Sequence, residues 1–233
     1  MWENRDIRYN VLRAVGYYKG KPVAEDLILL NGLEQAPNFE LLYQDDKKIL
    51  KGEAGYNYLY RLNCGGDDYT DSFGQLWLQD NTNYSRSWAK NFKELNPYLA
   101  SQRTTNDPIH GTRDWTLFQH FRFGRHQLEY RFPVADGTYR IELYFTEPWH
   151  GTGGSASTDC EGLRIFDVAV NDSVVLDDLD IWAESGHDGV CKKVVYATVK
   201  GGVLKIHFPE VKAGQGLISG IAIASVDSNL QPT

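Results

Sequence analysis

Methionine is almost absent from this 233-residue chain, occurring only as Met1, and cysteine occurs three times. An odd set of cysteines, Cys64, Cys160 and Cys191, excludes a closed disulfide framework, and no C-x-x-C spacing offers zinc a pair of thiolates. A Cys160–Cys191 bridge between loops and three thiols with Cys64 buried are the two readings left. No stretch approaches the roughly 18 consecutive apolar residues of a membrane span. Nor does a charged start lead into an apolar run, so any export signal is expected on a part of the protein outside this chain. Runs of Lys and Arg are missing too. With a net charge of −7 the chain repels phosphate backbones, which argues against nucleic acid.

Aromatic residues are the first feature present in excess. At 13% of the chain, Tyr, Phe and Trp serve a core and can also supply flat apolar platforms for the C–H faces of sugars. The apolar pattern is β almost throughout from Tyr58 onward. Tyr139 to Thr146 alternates with period two, placing Tyr139, Ile141, Leu143 and Phe145 on one face and Arg140, Glu142, Tyr144 and Thr146 on the other. Further strands are expected at Tyr58 to Asn63, Leu128 to Phe132, Ile165 to Val170, Val174 to Leu176, Val194 to Val199, Val203 to Phe208 and Leu217 to Val226. Turns at Asn171-Asp172-Ser173 and Lys200-Gly201-Gly202 punctuate them. Many short strands between Gly, Asp and Pro turns predict an all-β antiparallel sandwich of jelly-roll type, with long loops at one end. Helix is confined to a turn or two at Ser85 to Leu95.

Two β-rich runs, Asn10 to Tyr18 and Pro22 to Leu30, flank Lys19-Gly20-Lys21 and read as a hairpin. A lone hairpin is marginal in water, so residues 1–32 are expected to be the remnant of a preceding domain. Residues 33–56 then read as a linker, with a short strand at Phe39 to Tyr43, and residues 57–233 as the sandwich.

Catalytic and metal patterns are weak by comparison. Glu147 and Asp167 are the acids from which a glycosidase reading would start, but 31 acidic residues always supply some plausible pair. No two histidines stand at i, i+2 or i, i+4, no GxSxG is present, and Gly151 to Ser155 lacks the ending of a phosphate loop. Neither a cofactor nor a metal is called for. Loop carboxylates at Asp67, Asp68, Asp71 and Asp80 would suit a structural calcium, or are solvated turn residues. That leaves Trp77, Tyr84, Trp88, Trp115, Phe118, Phe121, Phe123, Trp149 and Trp182, all in or near loops. Most are expected to pin loops to the sandwich, and two to four to form a sugar platform.

Several motifs have a familiar order. Arg61-Leu62-Asn63-Cys64-Gly65-Gly66, Tyr69-Thr70-Asp71 and Gly74-Gln75-Leu76-Trp77 resemble the start of a malectin domain (carbohydrate-binding module family 57). Tyr130 to Val134, Gly137 to Tyr139, Leu143 to Glu147, Phe166 to Asn171, Asp178 to Ile181 and Leu217 to Ile221 continue the resemblance, from roughly Tyr58 to Asp227. It implies a β-sandwich that binds glucose-containing oligosaccharides through loop aromatics at one end. Trp88, Phe123, Trp149 and His150 fall where the animal protein of the family uses Tyr, Tyr, Tyr and Phe. Its acidic ligand falls at about Gly214, and Phe123 lacks a hydroxyl. The platform persists in kind, while its polar selectors do not. Hydrogen bonds to sugar are then expected from His150, Asp71 and Glu147 beside stacking on Trp149 and Trp88.

The first segment has its own resemblance. Leu12 to Tyr17 followed by Gly20 to Ala24 is similar to the closing hairpin of an immunoglobulin-like domain in family-two glycoside hydrolases of the β-galactosidase type. The expected function is a non-catalytic carbohydrate-binding module, partnered by oligosaccharide or polysaccharide and by the catalytic domains of a parent enzyme. Such an enzyme is expected in the periplasm or outside the cell. The rival reading is a structural spacer or dimerisation domain of the same enzyme that binds no sugar.

Overall fold

The computed structural model describes residues 11–29, 48–80, 88–89, 101–125, 128–151 and 159–226. In chain order the strands are β1 (Val11–Tyr18), β2 (Lys21–Leu29), β3 (Asn57–Asn63), β4 (Tyr69–Thr70), β5 (Leu76–Gln79), β6 (Trp88–Ala89) and β7 (Ser101–Thr104). A short helix α1 (Trp115–Gln119) precedes β8 (His120–Gly124), β9 (Glu129–Pro133), β10 (Gly137–Phe145), β11 (Ile165–Val170) and β12 (Ser173–Leu179). After α2 (Ile181–Ser185) come β13 (Cys191–Val199), β14 (Val203–His207), β15 (Val211–Ala213), β16 (Gly216–Ile218) and β17 (Gly220–Ser225).

β1 and β2 form a sheet of two through a two-residue turn, Lys19 and Gly20, both at positive φ, which matches the twist of the paired strands. The remaining strands make an all-β sandwich, as the alternation predicts. One sheet runs β13-β10-β17-β3-β5-β4 and the other β12-β11-β14-β9-β6, with β15 beside β11. A third sheet, β16-β8-β7, closes one end.

The core lies between the two large sheets. Tyr139, Ile141, Leu143 and Phe145 of β10 meet Phe132, Phe166, Val168 and Ile206 of the opposite sheet. The outward face of β10 is covered as well. Tyr144 joins Trp77, Trp115, Leu117, Phe118, Ile49 and Leu50 in a second apolar cluster, with the Trp77 and Tyr144 rings edge-to-face at 5.3 Å. Residues 49 and 50, in the stretch read as linker, thus contribute to this cluster. Beside it, buried Glu142 accepts hydrogen bonds from Tyr58, Tyr144 and Arg140 and pairs with Lys192. Burial pushes its carboxyl upward, but Tyr144, Lys192 and Arg140 outweigh that and hold it below the usual range.

Two expectations need correction. Leu217 to Val226 is not one strand: it breaks at Ser219, whose N–H donates to Tyr144 O while its carbonyl accepts from Cys64 N. The chain thereby steps from the end sheet (β16) into the large sheet (β17). Within Ser85 to Leu95, where a helical turn is expected, residues 88 and 89 are a strand paired with β9, and the rest lies outside the described residues, as does the strand expected at Phe39 to Tyr43. The three cysteines are buried as thiols, with burial pushing Cys64 well above its ordinary pKa.

Candidate functional site

The end sheet builds the site from its own alternation. Along β8, Phe121, Phe123 and then Arg125 fall on one side with period two, and Arg122 on the other. Arg122 is buried against Asp80, donating Nε–H and Nη2–H to its two oxygens at 3.0 and 2.9 Å, and Tyr130 adds a third bond at 3.0 Å. A buried bidentate pair is geometrically specific, and this one pins β8 to the end of β5 and to β9. At Gly65 (φ 83°) a side chain is excluded, because its Cβ would lie 2.8 Å from Phe121 O. The Cys64–Gly66 turn therefore packs directly on the β8 backbone.

Phe121, Phe123 and, from β16, Leu217 give an apolar surface to a groove of about 360 Å³. The turn after β10 adds Trp149 and His150, and the β15–β16 turn adds Gly214 and Gln215. Arg125 and Arg164 complete it. Trp149 is 53% exposed and Arg103 places its guanidinium 5.5 Å from the indole centre. An indole this open at the edge of an apolar groove is a surface that a ligand would cover at a gain.

A buried acid holds the backbone of that turn in place. Glu147 accepts Trp149 N–H at 2.9 Å and His150 N–H at 3.1 Å through Oε1. Arg164 grips both its oxygens, at 2.5 and 3.2 Å, and sends Nη1–H to Gln215 O at 2.7 Å. One ion pair thus ties the Trp149 turn, the start of β11 and the Gln215 turn together. Gly214 (φ 62°) sits where a Cβ would be 2.8 Å from Leu163 O, so this wall has no room for a side chain.

Of the residues singled out from sequence, Phe123, Trp149 and His150 meet in this groove. The backbone of Trp88 lies in β6 beside Arg131, and its side chain is outside the described residues. Asp71 and Glu147, expected to face sugar, are in the interior. Asp71 is 4% exposed and accepts Phe73 N–H, Gln75 N–H and the Trp77 indole N–H. The loop aromatics Trp77, Trp115, Phe118 and Phe121 are buried, as pins for loops should be. Arg125, Arg164 and Gln215 were missed, although extending the β8 alternation by one step reaches Arg125.

The four loop aspartates weighed for calcium do not gather. Asp71 and Asp80 are committed as above, Asp68 accepts Gln79 N–H, and Asp67 offers its backbone carbonyl to Asn63. Among the described residues the acids that converge lie elsewhere, as Asp107–His187–Asp188 and Asp167–Asp177–Asp178. In the first, His187 pairs with Asp188 and Thr105 donates to Asp107, while His187 Nδ1 and Asp188 Oδ1 are buried without a hydrogen-bond partner; in the second, Asp178 N–H donates to Asp167 and Lys212 pairs with Asp178. Among the described residues no acid lines the groove.

An antiparallel sandwich whose end sheet and loops build an aromatic groove, held by buried ion pairs, is a ligand-binding β-sandwich. The malectin-domain profile matches residues 58–228, and the chain belongs to the malectin-domain family, a carbohydrate-binding fold. It is 25% identical to Malectin of Danio rerio over 166 residues, covering 69% of this chain and 52% of that protein. Malectin of Mus musculus is 26% identical over 149 residues, covering 64% and 45%. This chain therefore spans about half the length of the malectins it matches. Among solved structures, Bacteroides uniformis beta-glucuronidase is similar at TM-score 0.56 and 23% identity, over 91% of this chain and 22% of that one. The ANX2 ectodomain of Arabidopsis thaliana is similar at TM-score 0.56 and 16% identity, over 75% and 51%. These two likenesses are of fold.

Proposed function

We propose that this chain is a non-catalytic carbohydrate-binding module of a larger glycoside hydrolase, with oligosaccharide stacking on Trp149 in the end groove. The observation that carries the reading is the exposed Trp149 indole, on a turn whose backbone buried Glu147 holds, in a groove that it shares with Phe123 and His150. Hydrogen bonds to sugar come from His150 and Gln215, and Glu147 positions the platform. Sugar binding in a groove of this kind requires no cofactor.

The β1–β2 hairpin, on this reading, closes an immunoglobulin-like domain of a parent enzyme of β-galactosidase type, and residues 33–56 join it to the module. The beta-glucuronidase likeness supports this, since it covers more of the chain than residues 58–228 and so extends into the part before them. The module then holds polysaccharide near the catalytic domains and raises the effective substrate concentration. Such work belongs outside the cytoplasm.

A glycan array, followed by calorimetry on any hit, tests the reading. Trp149→Ala removes the stacking surface, and affinity for the hit is expected to fall roughly tenfold or more, as loss of a buried aromatic contact implies. Unchanged affinity would sink the site assignment. A blank array from folded protein would favour a spacer role.

A further inference from the structure

We propose that the groove selects glycans bearing a carboxylate, that is, uronate-containing oligosaccharides, with Arg125 as the residue that recognises the acid. The inference rests on the groove being the sugar site.

Charge is the first argument. The chain carries −7 overall, yet the ionised side chains at the groove are Arg125 and Arg164, and no acid lines it among the described residues. Glu147 neutralises Arg164 from behind, through a pair that is 0% and 6% exposed on its two sides. Arg125 has no such partner among the described residues, and Arg103 adds a second exposed cation over Trp149. Among the described residues the groove is thus positive on a negative protein, the field that draws an anion.

Geometry is the second. Arg125 Nε–H donates to Gly214 O at 2.9 Å, which orients a guanidinium at the rim of the groove. Guanidinium is planar, and with Nε engaged its terminal amino groups form a fork that matches the two oxygens of a carboxylate. The carbonyl that sets this fork belongs to Gly214. No side chain fits there, because its Cβ would meet Leu163 O at 2.8 Å. Trp149 would still take the apolar face of the ring, so recognition divides between stacking and charge.

Calorimetry on the full chain with a glucuronate-containing disaccharide and its carboxyl-reduced counterpart tests the proposal. The acidic sugar is expected to bind about tenfold more tightly or better, a charge-assisted fork being the difference. The gap should narrow as salt rises from about 0.02 M to about 0.5 M, since the rim is exposed. Arg125→Gln is expected to collapse the ratio toward one, and Arg125→Lys to restore part of it, because charge returns without the fork. Equal affinity for the two sugars, or preference for the neutral one, would overturn the uronate proposal while leaving the sugar site intact. Binding of neither by protein with a native melt would instead remove the reading on which it rests.

Discussion

Glu147 shows how one side chain can govern a site it does not line. Its Oε1 takes two backbone N–H groups and part of a guanidinium, and its Oε2 takes the rest. With four donors satisfied, it has nothing left for a sugar hydroxyl. Removing the charge strands Arg164 in the interior, and breaking one side of a buried pair costs about 3–5 kcal/mol. Glu147→Gln is therefore expected to lower the unfolding free energy from a urea titration by that order at unchanged slope, and to weaken binding because the Trp149 turn loses its anchor. An unfolding free energy within about 0.5 kcal/mol of wild type would contradict the account. Asp71 plays the same part for the loop before β5. In sequence both read as loop acids beside aromatics, as a sugar ligand does. What separates the two cases is whether backbone N–H groups curl back to the carboxylate, which spacing does not reveal.

At the scale of elements, β8 and β10 show where alternation informs and where it stops. Period two in β10 identified the core face, because burial between sheets selects every second side chain. The covering of its other face depends on α1 and on residues 49 and 50, whose docking there is a tertiary event with no local signature. The segment after α2 carries a pH-sensitive joint of the same long-range kind. His187 bridges to Glu147 through the backbone and places Nε2 2.9 Å from Asp188 Oδ2. Burial works against the charged ring, but the hydrogen bond and charge of Asp188 outweigh it and raise the His187 pKa. A raised pKa means that the folded state binds the proton more tightly. This contribution is full below the ordinary histidine value of about 6.5 and is lost as pH climbs through the raised one. The thermal-stability advantage of wild type over His187→Gln should accordingly be larger at acid pH than at alkaline pH. An advantage that grew with pH would show the pair to be wired otherwise.

The whole molecule is a sandwich whose class was legible because short strands and turn residues recur along it. Its assembly was less so. β3 and β5 pair in parallel, β16 and β17 part company at one serine, and the groove gathers residues from Phe121 to Leu217. Contacts over such distances in the chain are set by packing; loop position named nine aromatics, and of the three that the family resemblance singled out, Phe123 and Trp149 line the groove. The same packing gives the protein a chemical clock. Cys64, Cys160 and Cys191 are all sealed in the interior, at 0%, 3% and 5% exposure, and Cys64 is further shielded by a raised pKa. A thiol reagent therefore waits for the sandwich to open, and the labelling rate reads that opening without tag or dye. A bound glycan should slow the clock in proportion to its occupancy, so the ligand can be sought by protection from alkylation alone.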